Sequence, residues 1–339
     1  MFKKLIHIVF YLLFTIHLFA QQTEIKYLSG TGNDSSVKWD FFCTNGMNAN
    51  KWTTIAVPSC WELQGFGKYN YGFAKDSARG KEKGLYKHEF TVSSAWQNKQ
   101  INLVFEGVMT DAEVTINGVS AGAIHQGAFY SFKYDITKLL KFDAKNILEV
   151  TVAKHSANAS VNEAERKGDF WIFGGIFRPV FLEALPKEHI ENIMIDAKAD
   201  GKFSVVFTTN NKEEIDAIEF KIFDSEGNIV ELDNTESVRL EAIQVDDLDH
   251  EHHSFAKYAN IKPWSPESPT LYTAVFTLNK NGKPVHTITQ KFGFRTVELK
   301  QRDGIYINGV KVKMKGVNRH SFRPETGRTL SKQNSIEDV

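Results

Sequence analysis

Residues 111–119 run DAEVTINGV. Val114, Ile116 and Val119 alternate with polar neighbours, and Asn117-Gly118 breaks the run. Period-two alternation is the mark of a half-buried strand, and Asn-Gly between two such runs is the strongest short-range hairpin signal. The same texture spreads outward through GLYKHEFTV (84–92), INLVFEGV (101–108) and NILEVTVAK (146–154). Helical periodicity is hard to find. Short sequential strands with Gly and Asn turns predict a β-sandwich running to about Pro186. A second group of strands fills roughly 188 to 297. It includes FSVVFTT (203–209), AIEFKIFD (217–224) before a Ser225–Asn228 turn, and LYTAVFTLNKNGKPVHTITQKFGF (271–294) around a second Asn-Gly. About 110 residues of this kind fit an immunoglobulin-like sandwich.

The whole chain has 339 residues, enough for two domains and part of a third. Lys plus Arg and Asp plus Glu are both 41, so no basic excess is left for phosphate and general nucleic-acid binding is not expected. The 12% of aromatic residues suits β-structure and surfaces on which sugars stack. Two cysteines, Cys43 and Cys60, rule out a disulfide-dense scaffold; buried thiols are expected rather than a bridge. Lys3-Lys4, an apolar run over 5–20 and polar Gln21-Gln22 predict a signal peptide over 1–20 and an exported mature protein. At about 16 residues, broken by His7 and His17, the run is short of the ~20 a membrane span needs. The acidic stretch DDLDHEHH (246–253) reads as a solvated loop, since no ligand spacing is enforced.

From 298 the pattern changes. GIYINGVKVKMKG (304–316) holds two short strands around Asn308-Gly309, and VKMKGVN (312–318) reads as a buried strand. Ser331 is a candidate N-cap for a helix with Ile336 and Val339 on one face.

Four segments carry candidate chemistry: VPSCWELQGFGKYNYG (57–72), VMTDAEVTINGVSAGAIHQGAFYSFKYDITKLL (108–140), GDFWIFGGIFRPVFLEAL (168–185) and KGVNRHSFRPETG (315–327), the last preceded by KPWSPESPTLY (262–272). In the second, Phe129, Phe132 and Tyr134 are expected in the core. In the third, Asp169 stands two residues before Trp171. A carboxylate accepts sugar hydroxyl protons and an indole packs on the C–H face of a sugar ring; a domain-closing turn with a core Trp explains the same residues. Gly174-Gly175 permit close backbone approach. In the fourth, Asn318-Arg319-His320 sit where a strand ends, and an imidazole can donate to hydroxyls.

In this order and spacing the four segments resemble the amino-terminal part of glycoside hydrolase family 2, which includes the large β-galactosidases, β-glucuronidases and β-mannosidases. The resemblance runs from about Trp39 to Val339. It implies a mostly β chain with a jelly-roll sugar-binding domain over 21–187, an immunoglobulin-like sandwich over 188–297, and over 298–339 the first strand and partial helix of a TIM barrel left incomplete. His320 and Asp169 would bind the terminal sugar, with Trp171 beside them, and Arg319 and Asn318 would pin the loop. Asn70 lies where the family sends a loop toward the barrel mouth; Tyr69, Asn70 and Tyr71 are not told apart by the match. The β-galactosidase branch implies a sodium ion near Asp169, and sodium or magnesium in the full enzyme. Its two catalytic carboxylates lie on later barrel strands, and a retaining glycosidase needs both, ~5–5.5 Å apart. Glu163, Glu165 and Glu325 match neither motif. The expected product is an amino-terminal fragment of an exo-acting retaining β-glycosidase, β-galactosidase first, acting on a carbohydrate, without a stable membrane span, and with a homo-oligomer allowed. The alternatives are a non-catalytic carbohydrate-binding or interaction protein, or another member of the family, a β-glucuronidase or β-mannosidase.

Overall fold

The computed structural model describes residues 21–74, 80–210, 217–233, 239–241 and 251–339. The expected signal peptide and most of the 246–253 tract lie outside them. By contacts the chain divides into two units: one takes 23–187 with 313–339, the other 188–312 with Gln21 and Gln22.

The first unit is a sandwich of antiparallel sheets. One sheet has six strands in the order Trp52–Val57, Val37–Cys43, Lys83–Thr91, Lys145–Ala153, Asp111–Ile116, Val119–Ser120. The facing sheet has four, ordered Glu24–Tyr27, Val180–Pro186, Lys99–Phe105, Phe132–Asp135. The alternation in 145–153 is kept: Asn146, Leu148, Val150 and Val152 are buried and their neighbours are not. Trp39, Phe41, Leu103, Phe105 and Val150 meet in one core drawn from both sheets. The deciding hairpin pairs Ile116 with Val119, and Asn117 and Gly118 both take positive φ (54° and 80°), as the hairpin turn demands. Val119 itself is exposed, because the strand it begins is an edge of only two residues. Phe129, Phe132 and Tyr134 pack as half-buried residues against the apolar clusters.

The second unit is an immunoglobulin-like sandwich. One sheet orders Ile190–Ala197, Lys202–Thr209, Glu251–Lys257, Arg239–Glu241; the other orders Ala217–Phe223, Tyr272–Lys280, Lys283–Phe292. Phe203, Phe207, Phe276 and Phe294 dominate its core. Val297–Lys300, Gly304–Ile307 and Val310–Lys311 form a small antiparallel meander that contacts assign to this unit, with the turn at Asn308-Gly309 where the sequence put it. The change of pattern at 298 is therefore not where the contacts divide.

Two expectations need correction. The stretch 312–318 forms no strand and is almost wholly exposed, with Met314 at 72% and Val317 at 94% exposure. A strand needs neighbours to take up its backbone donors and acceptors; Val312 donates its N–H to the Ile305 carbonyl (2.9 Å) where the meander ends, and no described strand pairs with the residues after it. A helix at Ala159–Glu165 was not foreseen; seven residues capped by Asn158 leave too little periodicity to see. The terminal helix, Lys332–Asp338, starts at Ser331 with a reciprocal capping box to Asn334, as the N-cap signal implied. Its Ile336 is exposed, so the foreseen apolar face has no partner within the described residues. Cys43 and Cys60 are both free and buried. No described helix is long and apolar enough to cross a membrane.

Candidate active-site face of the first sandwich

Segments 57–72 and 168–185 are locked together. Trp61 is fully buried, and its backbone N–H donates to the Gly174 carbonyl (3.0 Å). The Gly174 N–H donates in turn to both carboxylate oxygens of Glu62 (3.1 Å each). A Cβ on Gly174 would lie 2.1 Å from the Trp61 ring, so the glycine pair does permit the close approach expected of it.

Beneath this contact lies a charged cluster that sequence reasoning missed. Lys154 is fully buried, and its Nζ meets Glu62 Oε1 (2.6 Å), Glu82 Oε1 (3.0 Å), Asn70 Oδ1 (2.9 Å) and the Lys68 carbonyl (2.5 Å). Burial pushes the Glu62 carboxyl up to about 7, although the Lys154 ammonium beside it pulls the other way. Two carboxylates share one ammonium, so holding a proton on one of them leaves the cluster neutral. The only sequence signals were a lone Lys ending a strand and a lone Glu after Trp61, both ordinary on a surface.

This cluster explains Asn70. The residue is 6% exposed and its side-chain oxygen is committed to Lys154, so it supports the site from below rather than facing it. It is Tyr71, next along, that reaches the site. Residues Asn70–Tyr71 pair with Trp171–Ile172, and the Tyr71 hydroxyl donates a very short hydrogen bond to Asp169 Oδ1. Asp169 is exposed, and Trp171 is 49% exposed, touched edge-on by Tyr69 and Tyr71.

The fourth segment docks on the same face. Phe322 stacks on Phe173 (centroids 5.9 Å apart), and Gly327 lies against Cys60, whose thiol burial pushes up to about 12. Arg319 pairs with Asp338, and Arg323 with Asp338 (2.8 Å) and Glu337 (3.3 Å), clipping the terminal helix to the loop. Asn318 is exposed and does not line the cavity that forms here.

That cavity, about 220 Å³, is lined by Asp169, Phe170, Trp171, His320, Phe322 and Arg328. Three of the six expected site residues meet in it, from positions 169–171 and 320. Phe170, Phe322 and Arg328 join them without having been foreseen. The volume is below the ~300–1,000 Å³ of drug-sized pockets, which suits one small ring better than an oligomer. A larger hollow of about 580 Å³ lies in the other unit beside Trp264 and Arg295, with Asp196 its single carboxylate and no imidazole. Glu165, one of the spare carboxylates, is buried and accepts from the Ala128 N–H (2.8 Å) and the Tyr130 hydroxyl (2.9 Å), which gives it a structural duty.

The sodium ion implied near Asp169 finds little to hold it. Asp169 is the cavity's one carboxylate, its Oδ1 already receives Tyr71, and no three His, Cys, Asp or Glu side chains gather among the described residues. Hard cations take about six or more oxygen ligands. The residues present do not compose that site, and no step below passes through a metal.

Comparison with known proteins agrees with the fold. The sequence profile described as "Glycosyl hydrolases family 2, sugar binding domain" matches residues 37–186, and that described as "Glycosyl hydrolases family 2" matches 188–295. A β-galactosidase of Priestia megaterium is 30% identical over 326 residues, covering 90% of this chain and 31% of that protein. A β-galactosidase of Clostridium acetobutylicum is 29% identical over 342 residues, covering 94% and 36%. Among solved structures, Bacteroides uniformis β-glucuronidase 2 superposes with a TM-score of 0.68 at 25% identity, over 94% of this chain and 38% of that one. The chain spans about a third of the length of the curated relatives it matches.

Proposed function

The chain belongs to glycosyl hydrolases family 2, and on that premise we propose that it is the sugar-contacting amino-terminal part of an exported, exo-acting, retaining β-glycosidase, with terminal β-galactosides as its first substrates. The observation that carries this reading is the convergence of Asp169, Trp171 and His320 on one small cavity from two distant stretches of sequence. Each supplies a different part of sugar recognition. The carboxylate, oriented by Tyr71, accepts hydroxyl protons. The half-exposed indole offers an apolar ring to the sugar's C–H face. The imidazole donates to a sugar hydroxyl.

Bond cleavage needs more than this. Retention takes an acid/base and a nucleophile ~5–5.5 Å apart, and the cavity contains one carboxylate, already engaged. We assign both chemical groups to residues beyond 339, in the two-thirds of the relatives' length that this chain does not span.

The test has two arms. Residues 21–339 alone should release no aglycone from a panel of aryl β-glycosides; turnover above a buffer blank that survives repurification would place the carboxylate pair within these residues. In the full-length gene product, H320A should lower kcat/KM by roughly 2–4 kcal/mol of transition-state stabilisation, the scale of losing one preorganised donor. Unchanged kinetics would remove His320 from the site. Sugar binding by 21–339 with no glycosidase activity in the full-length product would favour the non-catalytic alternative.

A further inference from the structure

The outer face of the six-stranded sheet has no part in the cavity. Alternation along each strand buries one set of side chains and turns the other set outward, and the strands are in register. Trp52 pairs with Phe42, Phe42 with Leu85, Leu85 with Thr151 and Thr151 with Glu113, so these residues form one straight row across five strands. Beside it runs a second row: Thr54, Asp40, Lys87, Glu149 and Thr115. Neighbouring strands lie about 4.8 Å apart, so each row spans roughly 19 Å.

The first row is apolar at one end. Trp52 is 57% exposed, and its ring centroid lies 5.6 Å from that of Phe42, which like Leu85 is half-buried. Solvated faces of antiparallel sheets are ordinarily polar, and edge strands carry charge rather than aromatic rings. Trp52 begins an edge strand and departs from both habits. At its other end the row runs into a hollow of about 400 Å³, where Glu113 and Thr151 are joined by Asp111, Lys83, Ile124 and His155. Asp111 is 7% exposed. Its Oδ2 accepts from the Ala157 N–H (2.7 Å) and the Gln126 amide (3.3 Å), while its Oδ1 has no donor among the described residues. A buried acceptor without a donor is costly, and a hydroxyl would supply one.

Charge narrows the choice of partner. Lys87 pairs with Glu149 (3.5 Å) and Lys145 with Glu89, so most of the charge on this face cancels in place and an ionic partner finds little field to follow. A protein partner needs ~800 Å² a side around a core depleted in charge. Here a narrow apolar row of Trp52, Phe42 and Leu85 is bordered directly by Asp40, Lys87 and Glu149. A sugar chain has the complementary pattern: C–H faces that pack on aromatic rings, and rims of hydroxyls that bond to carboxylate, ammonium and Thr hydroxyl groups.

We propose that this face is a second carbohydrate-binding surface, which takes a neutral linear oligosaccharide along Trp52, Phe42 and Leu85 with one end in the hollow at Asp111 and Glu113. The surface needs neither Asp169 nor His320, and it holds a chain of sugars where the cavity holds one ring.

The test is titration of the purified chain with methyl β-D-galactopyranoside and with three β-linked tetrasaccharides, galactotetraose, cellotetraose and mannotetraose, read by calorimetry and by the tryptophan indole resonances in NMR. At least one tetrasaccharide should bind ten-fold or more tighter than the methyl glycoside, and equally at low and high salt. The indole peak missing from the W52A spectrum should be one that moves on binding. W52A should weaken that tetrasaccharide at least ten-fold while keeping the wild-type urea midpoint, since Trp52 is exposed; E113A should weaken it by a smaller factor. Binding lost in W171A and intact in W52A would put the oligosaccharide in the cavity, overturning this inference and leaving that reading in place. Failure of all three tetrasaccharides would overturn it whether or not the methyl glycoside binds. Self-association abolished by W52A, with no tetrasaccharide bound, would make the face a contact between copies of the chain. Affinity that falls steeply with salt would refute a neutral ligand.

Discussion

Replacing Lys154 by methionine keeps most of the side chain's volume and deletes its charge. In the wild-type protein the ammonium serves four acceptors within 3.0 Å, two of them carboxylates, with no exposure to solvent. Removing one partner of a buried ion pair costs ~3–5 kcal/mol, because the other charge is left without compensation. Here two carboxylates lose their cation, which sets the upper part of that range, while protonation of Glu62 provides relief. That relief depends on pH, and its sign follows from linkage. The Glu62 carboxyl is raised from an ordinary 4.5 to about 7 in the folded state. The folded protein therefore binds more protons than the unfolded one between those values. The stability contributed by this carboxyl is fully present below about 4.5 and is lost as pH rises through 7, by at most about 3–4 kcal/mol at ~1.4 kcal/mol per pH unit.

In K154M the Glu62 carboxyl must rise further, so the loss continues to higher pH. We expect K154M to cost about 3–5 kcal/mol at pH 8 and markedly less at pH 5.5. Urea unfolding followed by tryptophan fluorescence reports the correct unit, since Trp39, Trp52, Trp61, Trp96 and Trp171 all lie in the first sandwich and only Trp264 in the second. The double variant K154M/E62L should recover part of the loss, because an apolar replacement of a buried pair is often neutral. A K154M penalty under 1 kcal/mol, or one equal at both pH values, would refute the reasoning.

Three further outcomes follow from the same geometry. G174A drives a methyl group into the Trp61 ring, at 2.1 Å from the nearest ring atom, and should cost at least the ~1–3 kcal/mol of overpacking, read in the same urea assay. The Tyr71 phenol, whose proton is bonded to Asp169, should titrate above the ordinary tyrosine value of 10, and D169A should return it to that value in an NMR titration of the ring carbons. Amino-terminal sequencing of the exported protein should begin at Gln21 or close to it, and finding Met1 would end the signal-peptide reading.

Most of the fold was legible because its signals are local. An alternating strand with Asn-Gly at its end states both its buried face and its turn within nine residues, as 111–119 does. The same holds for Tyr272–Lys280 before Asn281-Gly282, and the Ser331 cap is equally local. What failed was context. VKMKGVN has strand composition, yet alternation says only which face could be buried; burial itself needs partners, and among the described residues no strand pairs with 313–318. The change of pattern near 298 and the division by contacts differ for a related reason. Sequence marks where a pattern changes, while contacts follow where a segment lies, and 313–339 lies with the first sandwich although its pattern resembles neither.

The site was legible to the extent that exposed chemistry stands out in a strand-rich sequence. Asp169 and Trp171 stand just before a glycine pair, and His320 ends a run with no apolar duty, so each called for an explanation and each lines the cavity. Asn70 and Tyr71 show the limit. On adjacent strand residues one side chain points in and the other out, and the choice depends on a buried ammonium 84 positions away. That ammonium also fixes why the site is rigid. Lys154 holds Glu62, Glu62 holds the Gly174 backbone, and Asn70 fixes the strand that carries Tyr71 to Asp169. The sugar-facing residues are thus set by a charge cluster that touches no sugar. Its loss should reach the cavity even where the sandwich survives, and a K154M protein that stays folded at pH 5.5 should still bind ligand less well than the wild type.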